Sequence, residues 1–315
     1  MSIITFWNDS REQSGKTLTS IAVATRMAIE RNSKILLIST SFDDPTMQNC
    51  FWGSEKKKNT GLFNPQNSTV AVENGIEGLL KLASSKKLEP SIITDYTRVI
   101  FKERLEVVAG FSTPQGRTLD DKINEIRKIE DYYIELIKIA NQYYDVIIVD
   151  LDKKISIKTR EEILKLSNVN VYVLSQKMDS IDRYNELRHG NSEFMKNRCI
   201  PVIGTYDNKF KYNSKNIARY LGDKKELNVL PRNLLFMGAA EEAGVVDLFL
   251  KLKNVKDKTD ENYIFMDCVL NLTNAILNKI QEMQMRLRWK NVNYKYIIND
   301  CCCYICSSGI DVLFE

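Results

Sequence analysis

Gly15-Lys16-Thr17 follows a loop, Asn8–Ser14, that leaves the apolar run Ile3–Trp7. A helical pattern begins at Lys16. Those residue types in that order suit a phosphate cradle. The first N–H groups of a helix have no partners within it and can point at phosphate oxygens. A glycine at position 15 lets the backbone approach an anion closely. The Lys16 ammonium can reach β- and γ-phosphates, and the Thr17 hydroxyl can ligate Mg²⁺. The full pattern, G-x-x-x-x-G-K-[ST], has glycine at its first position, where this chain has Ser10. A helix start capped by Ser14 would explain the triplet without chemistry. Context favours the cradle: strand, loop, the helix Leu18–Ile29 and a second strand, Lys34–Ile38, make a βαβ unit of about 30 residues.

The second landmark is Tyr144–Asp150, a β run ending in a carboxylate. At the carboxyl edge of a sheet, Asp150 would stand beside the cradle and hold Mg²⁺ directly or through water. Thr17 and Asp150 are therefore the expected metal-binding pair.

The elements that must position these residues are short apolar runs alternating with helical stretches. That alternation predicts an α/β fold, a mostly parallel, doubly wound sheet with helices on both faces. The expected strands are Ile3–Trp7, Lys34–Ser39, Leu105–Ala109, Asp145–Asp150, Asn170–Ser175, Val202–Tyr206 and Glu226–Leu230. The expected helices are Lys16–Arg31, Gly75–Ser84, Asp120–Tyr143, Arg160–Leu166, Asp179–Lys196, Asn216–Leu221 and Asn262–Trp289. In the last, Ile264, Cys268, Leu272, Ala275, Ile276 and Ile280 form one apolar stripe.

The 315 residues, 43% of them apolar, suit one large domain with a small appendage. We divide them into a nucleotide-binding domain, 1–290, and a C-terminal Cys/Tyr-containing tail, 291–315. The net charge of +4 neither demands nor excludes nucleic acid. No apolar run approaches the roughly 20 residues that span a bilayer. The opening strand leaves no room for a signal peptide, and Cys50, Cys199 and Cys268 are scattered, so a reducing cytoplasm is expected. Cys301, Cys302, Cys303 and Cys306 match no zinc spacing. An inert tail is the simplest reading, with metal, lipid or oxidation chemistry as alternatives. His189, the only histidine, reads as a helix-end residue. Lys56-Lys57-Lys58, in the long polar loop Phe51–Asn74, reads as a solvated charge run.

Four segments stand in a telling order: Ser10-Arg11-Glu12-Gln13-Ser14-Gly15-Lys16-Thr17, Leu105–Gly110, Tyr144–Asp150 and Val229-Leu230-Pro231-Arg232-Asn233. Over roughly Ser2 to Gln281 the chain resembles the MinD/ParA group of P-loop ATPases. Within the group it looks most like divergent members such as TadZ pilus-assembly and plasmid partition proteins. The first segment falls on the group's deviant phosphate loop, G-K-G-G-x-G-K-[ST], with Arg11 on the lysine that crosses a dimer interface. The resemblance implies ATP and Mg²⁺ as cofactors, a homodimer, and nucleotide contacts from Ser10, Arg11, Glu12, Gln13, Ser14, Gly15, Lys16, Thr17 and Leu18. It implies adenine contacts from Pro231, Arg232 and Asn233, with Lys16 and Asp150 as catalytic groups.

Several positions depart from the group. Glu12 and Gln13 replace two glycines, placing an acid near an anion. The D-x-D expected at the end of the second strand reads Ser39-Thr40-Ser41, and Asp43 and Asp44 are the nearest substitutes for its water-positioning carboxylate. Leu151-Asp152-Lys153-Lys154 replaces a small turn, and Gly204 falls where a base-contacting asparagine is expected. The implied function is a nucleotide-dependent dimeric switch in partition or subcellular positioning, with weak or impaired ATP hydrolysis. The alternative is a non-hydrolysing scaffold with a decayed nucleotide site. Partners would be DNA, a membrane-associated component or a polar assembly, with no small-molecule substrate beyond the nucleotide. The location would be cytoplasmic, or peripheral to membrane or nucleoid. Tyr294, Tyr296 and Tyr304 are the one hint of a P-loop tyrosine kinase.

Overall fold

The structure, a computed structural model, describes residues 1–10, 12–53, 75–113, 118–190 and 193–307, with 287–307 by backbone alone. Arg11, the lysine run 56–58, and the side chains of the tail cysteines and tyrosines lie outside the described residues.

Near-continuous Val/Ile/Leu runs can be buried on both sides, and they form the strands here. These are β1 (Ser2–Trp7), β2 (Ile35–Ser39), β3 (Arg98–Phe101), β4 (Leu105–Val108), β5 (Val146–Asp150), β6 (Val169–Leu174), β7 (Cys199–Tyr206) and β8 (Asn228–Pro231). They make one eight-stranded sheet in the order β3-β4-β2-β5-β1-β6-β7-β8. Every pairing is parallel except β3 with β4. The seven expected strands are all present; β3, an antiparallel edge hairpin with β4, was not expected. Successive side chains of a strand point to opposite faces. Accordingly Ile4 and Phe6 of β1 join one core and Ile3 and Trp7 the other.

The helices are α1 (Lys16–Glu30), α2 (Thr46–Phe51), α3 (Ile76–Ser84), α4 (Leu119–Ile126), α5 (Tyr133–Ala140), α6 (Ile157–Leu166), α7 (Met178–His189), α8 (Glu193–Lys196), α9 (Ser214–Tyr220), α10 (Leu234–Glu241), α11 (Val245–Leu252) and α12 (Glu261–Ser307). Residues of α1, α2, α10, α11 and α12 pack into the core of the Ile4/Phe6 face, and those of α3 to α9 into the other. The doubly wound architecture expected from the sequence is the one observed.

Three helix expectations need correction. Asp120–Tyr143 is not one helix. Its backbone tightens into i→i+3 bonds at Lys128 and Ile129, and α5 starts afresh after a 3-10 turn at Glu130–Tyr132. The break turns Glu130 inward, where its carboxylate accepts from the Ser156 N–H at 3.3 Å. Asp179–Lys196 is two helices, α7 ending at His189 before Gly190. The α12 stripe holds at Leu272, Ile276 and Ile280, which are buried as expected, but shifts by one residue at its start: Phe265 and Val269 are buried, whereas Ile264 is 44% exposed and Cys268 half-buried. The cause is aromatic packing, since Phe265 sits 5.0 Å from Phe236 and 6.1 Å from Phe249, ring centre to ring centre. α12 continues unbroken across Asn291.

Phe265→Ala should cost about 3–5 kcal/mol of stability, while Ile264→Ala should stay within about 0.5 kcal/mol. Urea unfolding of both variants checks the displaced stripe.

Candidate functional site

The loop leaving β1 turns into α1 through Gly15, whose φ of 72° is left-handed. Gly15, not Ser14, is the N-cap, and no side chain caps α1. The Ser14 hydroxyl instead accepts from Asn8 Nδ2 at 2.5 Å. The first N–H groups of α1 therefore face a loop that supplies them with no side-chain acceptor.

Parallel pairing of β5 with β1 and β2 sets Asp150 opposite Phe6 and Ser39. This brings the two sequence landmarks together. Lys16 Nζ forms an ion pair with Asp150 Oδ1, and Thr17 Oγ1 donates to Asp150 Oδ2 at 2.9 Å. The Asp150 side chain is 0% exposed. A carboxylate buried that deeply needs a cation or several donors, and Lys16 with Thr17 supply both.

The rest of the loop is gripped from outside. Asp9, absent from the sequence expectations, accepts from the Tyr172 hydroxyl of β6 at 2.8 Å. It also accepts from Arg183 Nε and an η-nitrogen of α7 at 2.9 and 2.7 Å. Burial first, and the Asp9 charge second, push the Tyr172 phenol above its ordinary range and keep it a donor. Glu12 pairs with Lys177, which precedes α7. Its charge is thus matched at the α7 side of the loop. Ser10 is buried, and its hydroxyl has no partner among the described residues. Gln13 is exposed, and Leu18 packs partly into the core.

The wall opposite is β7. A Cβ on Gly204 would lie 2.0 Å from the Ser14 carbonyl oxygen and 2.9 Å from Val173 Cγ1. Gly204 therefore cannot stand in for a base-contacting side chain; it lies within β7, and its missing side chain admits the loop backbone. Thr205, at φ 47°, lays its methyl against Gly15.

The remaining expected residues are engaged elsewhere. Asp43 accepts from the Thr113 N–H at 2.5 Å and from the Thr113 hydroxyl. Asp44 holds the start of α2 through the Thr46 N–H at 2.9 Å and the Thr46 hydroxyl. The hydroxyls of Ser39 and Ser41 bond to each other at 2.8 Å. Asn233 caps α10 by accepting from the Phe236 N–H at 2.8 Å and reaches Asn262 of α12 at 2.9 Å. Pro231 ends β8, and the exposed Arg232 ties its N–H to the Tyr206 carbonyl at 2.9 Å. Burial pushes the thiols of Cys50 and Cys199 up to about 12, so neither is a ready ligand or nucleophile. Among the described residues, no helix is long and apolar enough to cross a membrane.

Loop, helix start and Asp150 occupy the carboxyl edge of a parallel sheet, where β1 lies between β5 and β6. No protein-family model and no curated protein matches the chain. Solved structures do. A ParA family ATPase from Chlorobium tepidum TLS superposes with a TM-score of 0.61 at 16% identity, over 86% of this chain and 98% of that one. The chain has the fold of the ParA and MinD ATPases. MinD from Pyrococcus furiosus gives 0.58 at 12% identity, over 87% and 99% of the two chains. A plasmid partition protein from Borrelia burgdorferi B31, bound to AMPPNP, gives 0.56 at 16% identity, over 86% and 97%. At these identities the likeness is one of fold, and the ParA/MinD fold is the scaffold on which this chain's own loop contacts are built.

Gly204→Ala should force the loop off β7 and cost about 1–3 kcal/mol. A lowered urea midpoint with an unchanged slope would check it, and a neutral result would contradict the close loop–strand approach.

Proposed function

We propose that this chain binds ATP with Mg²⁺ in the Ser10–Thr17 cradle, turns it over weakly or not at all, and works as a nucleotide-dependent dimeric switch in partition or positioning. The observation that carries the reading is the convergence of Lys16, Thr17 and Asp150 at one uncapped helix start. The Thr17 hydroxyl and the Asp150 carboxylate are the oxygen donors Mg²⁺ takes when phosphates and waters complete its shell. The metal would neutralise phosphate charge there. The buried Ser10 hydroxyl, without a partner among the described residues, is a donor free for an acceptor, as a phosphate contact requires. MinD from Pyrococcus horikoshii OT3, which shares the fold with a TM-score of 0.55 at 12% identity, was solved as a complex with Mg-ADP.

A phosphate in the cradle would draw the Lys16 ammonium away from Asp150. When its ammonium leaves, a buried carboxylate is stranded, and a divalent cation must replace it. Nucleotide and metal binding are therefore linked.

Weak turnover follows from what lies beside Asp150. Ser39 and Ser41 are neutral and bonded to each other, while Asp43 and Asp44 hold Thr113 and Thr46. Phosphoryl transfer depends on positioning and charge, so losing a water-orienting carboxylate lowers rate before it abolishes binding. The same observations favour the second reading, a scaffold that does not hydrolyse ATP.

Calorimetry should show Mg·ATP binding in the micromolar range, weakened at least about tenfold in Lys16→Ala, equivalent to about 1.4 kcal/mol. Light scattering should show a dimer with Mg·ATP, and phosphate release should be slow. A chain that is monomeric with and without Mg·ATP would refute the switch. Asp150→Asn supplies a separate expectation. Chelating Mg²⁺ should weaken ATP binding to the wild type by about tenfold or more and weaken binding to the variant far less.

A further inference from the structure

A groove of about 330 Å³ lies between α7 and α9, apart from the phosphate loop. Met178 and Ile181 of α7 face Ile217 and Tyr220 of α9, and Lys211 and Tyr212 of the connecting segment complete the wall with Asn216 of α9. The volume lies at the small end of the range for organic ligands, about 300–1,000 Å³.

The groove is built rather than incidental. At one end the Gln176 side chain braces the segment that carries Lys211. Its Nε2 donates to the carbonyls of Asp207 and Tyr212 at 3.0 and 2.8 Å, and its Oε1 accepts from the Asp207 N–H at 2.7 Å. At the other end the Tyr220 hydroxyl donates to Asp182 Oδ1 at 2.6 Å, tying α9 back to α7. Asn213 caps α9, accepting from the Asn216 N–H at 2.9 Å.

Its chemistry is a largely apolar floor with one amide, Asn216, and one cation, Lys211. The Lys211 ammonium stands 5.6 Å from the Tyr212 ring centre and makes no ion pair among the described residues. Asp182 accepts from the Tyr220 hydroxyl, and Asp207 from the Lys209 N–H at 2.9 Å. The complement is a compact apolar body bearing one acidic group.

The same helix touches the phosphate loop. Arg183 of α7 holds Asp9, and Lys177, one residue before α7, holds Glu12. Met178 and Ile181, which line the groove, both lie between these two in sequence. A ligand seated on Met178 and Ile181 therefore bears on the grip that α7 has on the loop.

We propose that the α7–α9 groove binds a small organic anion with an apolar body, and that α7 relays its occupancy to the phosphate loop. The consequence for a nucleotide rests on the function proposed above; the binding and the relay do not.

Anilinonaphthalene sulfonate, an aromatic body with one sulfonate, is a suitable probe, used on the full chain. One saturable fluorescent site is expected. Lys211→Glu should weaken it by about tenfold or more, and Tyr220→Ala should weaken it as well; both residues are exposed, so the fold is retained. Leu234→Ser with Leu235→Ser, on the exposed face of α10, should leave the signal unchanged. Saturating probe should alter amide hydrogen exchange over Asn8–Ser14. The double variant Lys177→Ala, Arg183→Ala should erase that change while still binding the probe. A signal that survives Lys211→Glu, or one that disappears with the α10 variant, overturns the site. Unchanged exchange in the loop at saturation overturns the relay. All of these readings are made without nucleotide, so a failure to bind ATP would count only against the proposed function.

Discussion

The ion pair between Lys16 and Asp150 is the constraint on which the site depends. It joins the first turn of α1 to the end of β5 across a sequence separation of 134 residues. Asp150 has no exposed side-chain surface, and a bare carboxylate at that depth would protonate or destabilise the fold by several kcal/mol. The pair is therefore part of the folded state as well as part of the chemistry. It also means that the cradle is closed on itself. On the function proposed above, an anion that draws the ammonium away leaves the acid in need of a cation, and two ligands tied through one exchange bind cooperatively.

The loop around that pair solves a steric problem by a different route from a glycine-rich turn. Glycines let a loop fold tightly and bring its amides onto phosphate. Here positions 12 and 13 carry Glu and Gln, and the glycine requirement moves across the contact to Gly204, where the strand yields to the loop carbonyl. The acids that look out of place in a phosphate loop are handles. Asp9 and Glu12 are held by Arg183 and Lys177, so their charges are matched at the α7 side of the loop and shape is imposed from outside.

What could be read in advance follows from the range of the interaction. Strands buried on both faces announce themselves as apolar runs, and Lys16, Thr17 and Asp150 sit at fixed offsets from such runs, so sheet and landmarks were legible. α10 was not. Leu234-Leu235-Phe236-Met237 is apolar on every side, with no helical period to detect, and it leaves Leu234 and Leu235 72% and 55% exposed. The break between α4 and α5 carries neither Gly nor Pro. The stripe of α12 turned on which aromatic found ring partners, a tertiary fact. The loop clamp joins residues separated by 165 and 174 positions. Two carboxylates in a loop with the spacing of a phosphate cradle were the available sign that cations had to come from elsewhere.

The serines at the end of β2 belong to the same charge balance. Ser39 lies opposite Asp150 in the β2–β5 register, and a carboxylate in that position would set a second negative charge beside a buried one. Like charges so placed raise each other's pKa, and the pair would need more cation than one lysine provides. With hydroxyls that bond to each other, the local charge is one acid and one base, balanced before any nucleotide arrives. A site balanced when empty has little electrostatic reason to rearrange around water, and it lacks a fixed negative group to orient one. On the function proposed above, the paired serines and the Lys16–Asp150 ion pair are two sides of one arrangement, a site better suited to exchanging partners than to breaking a phosphate bond.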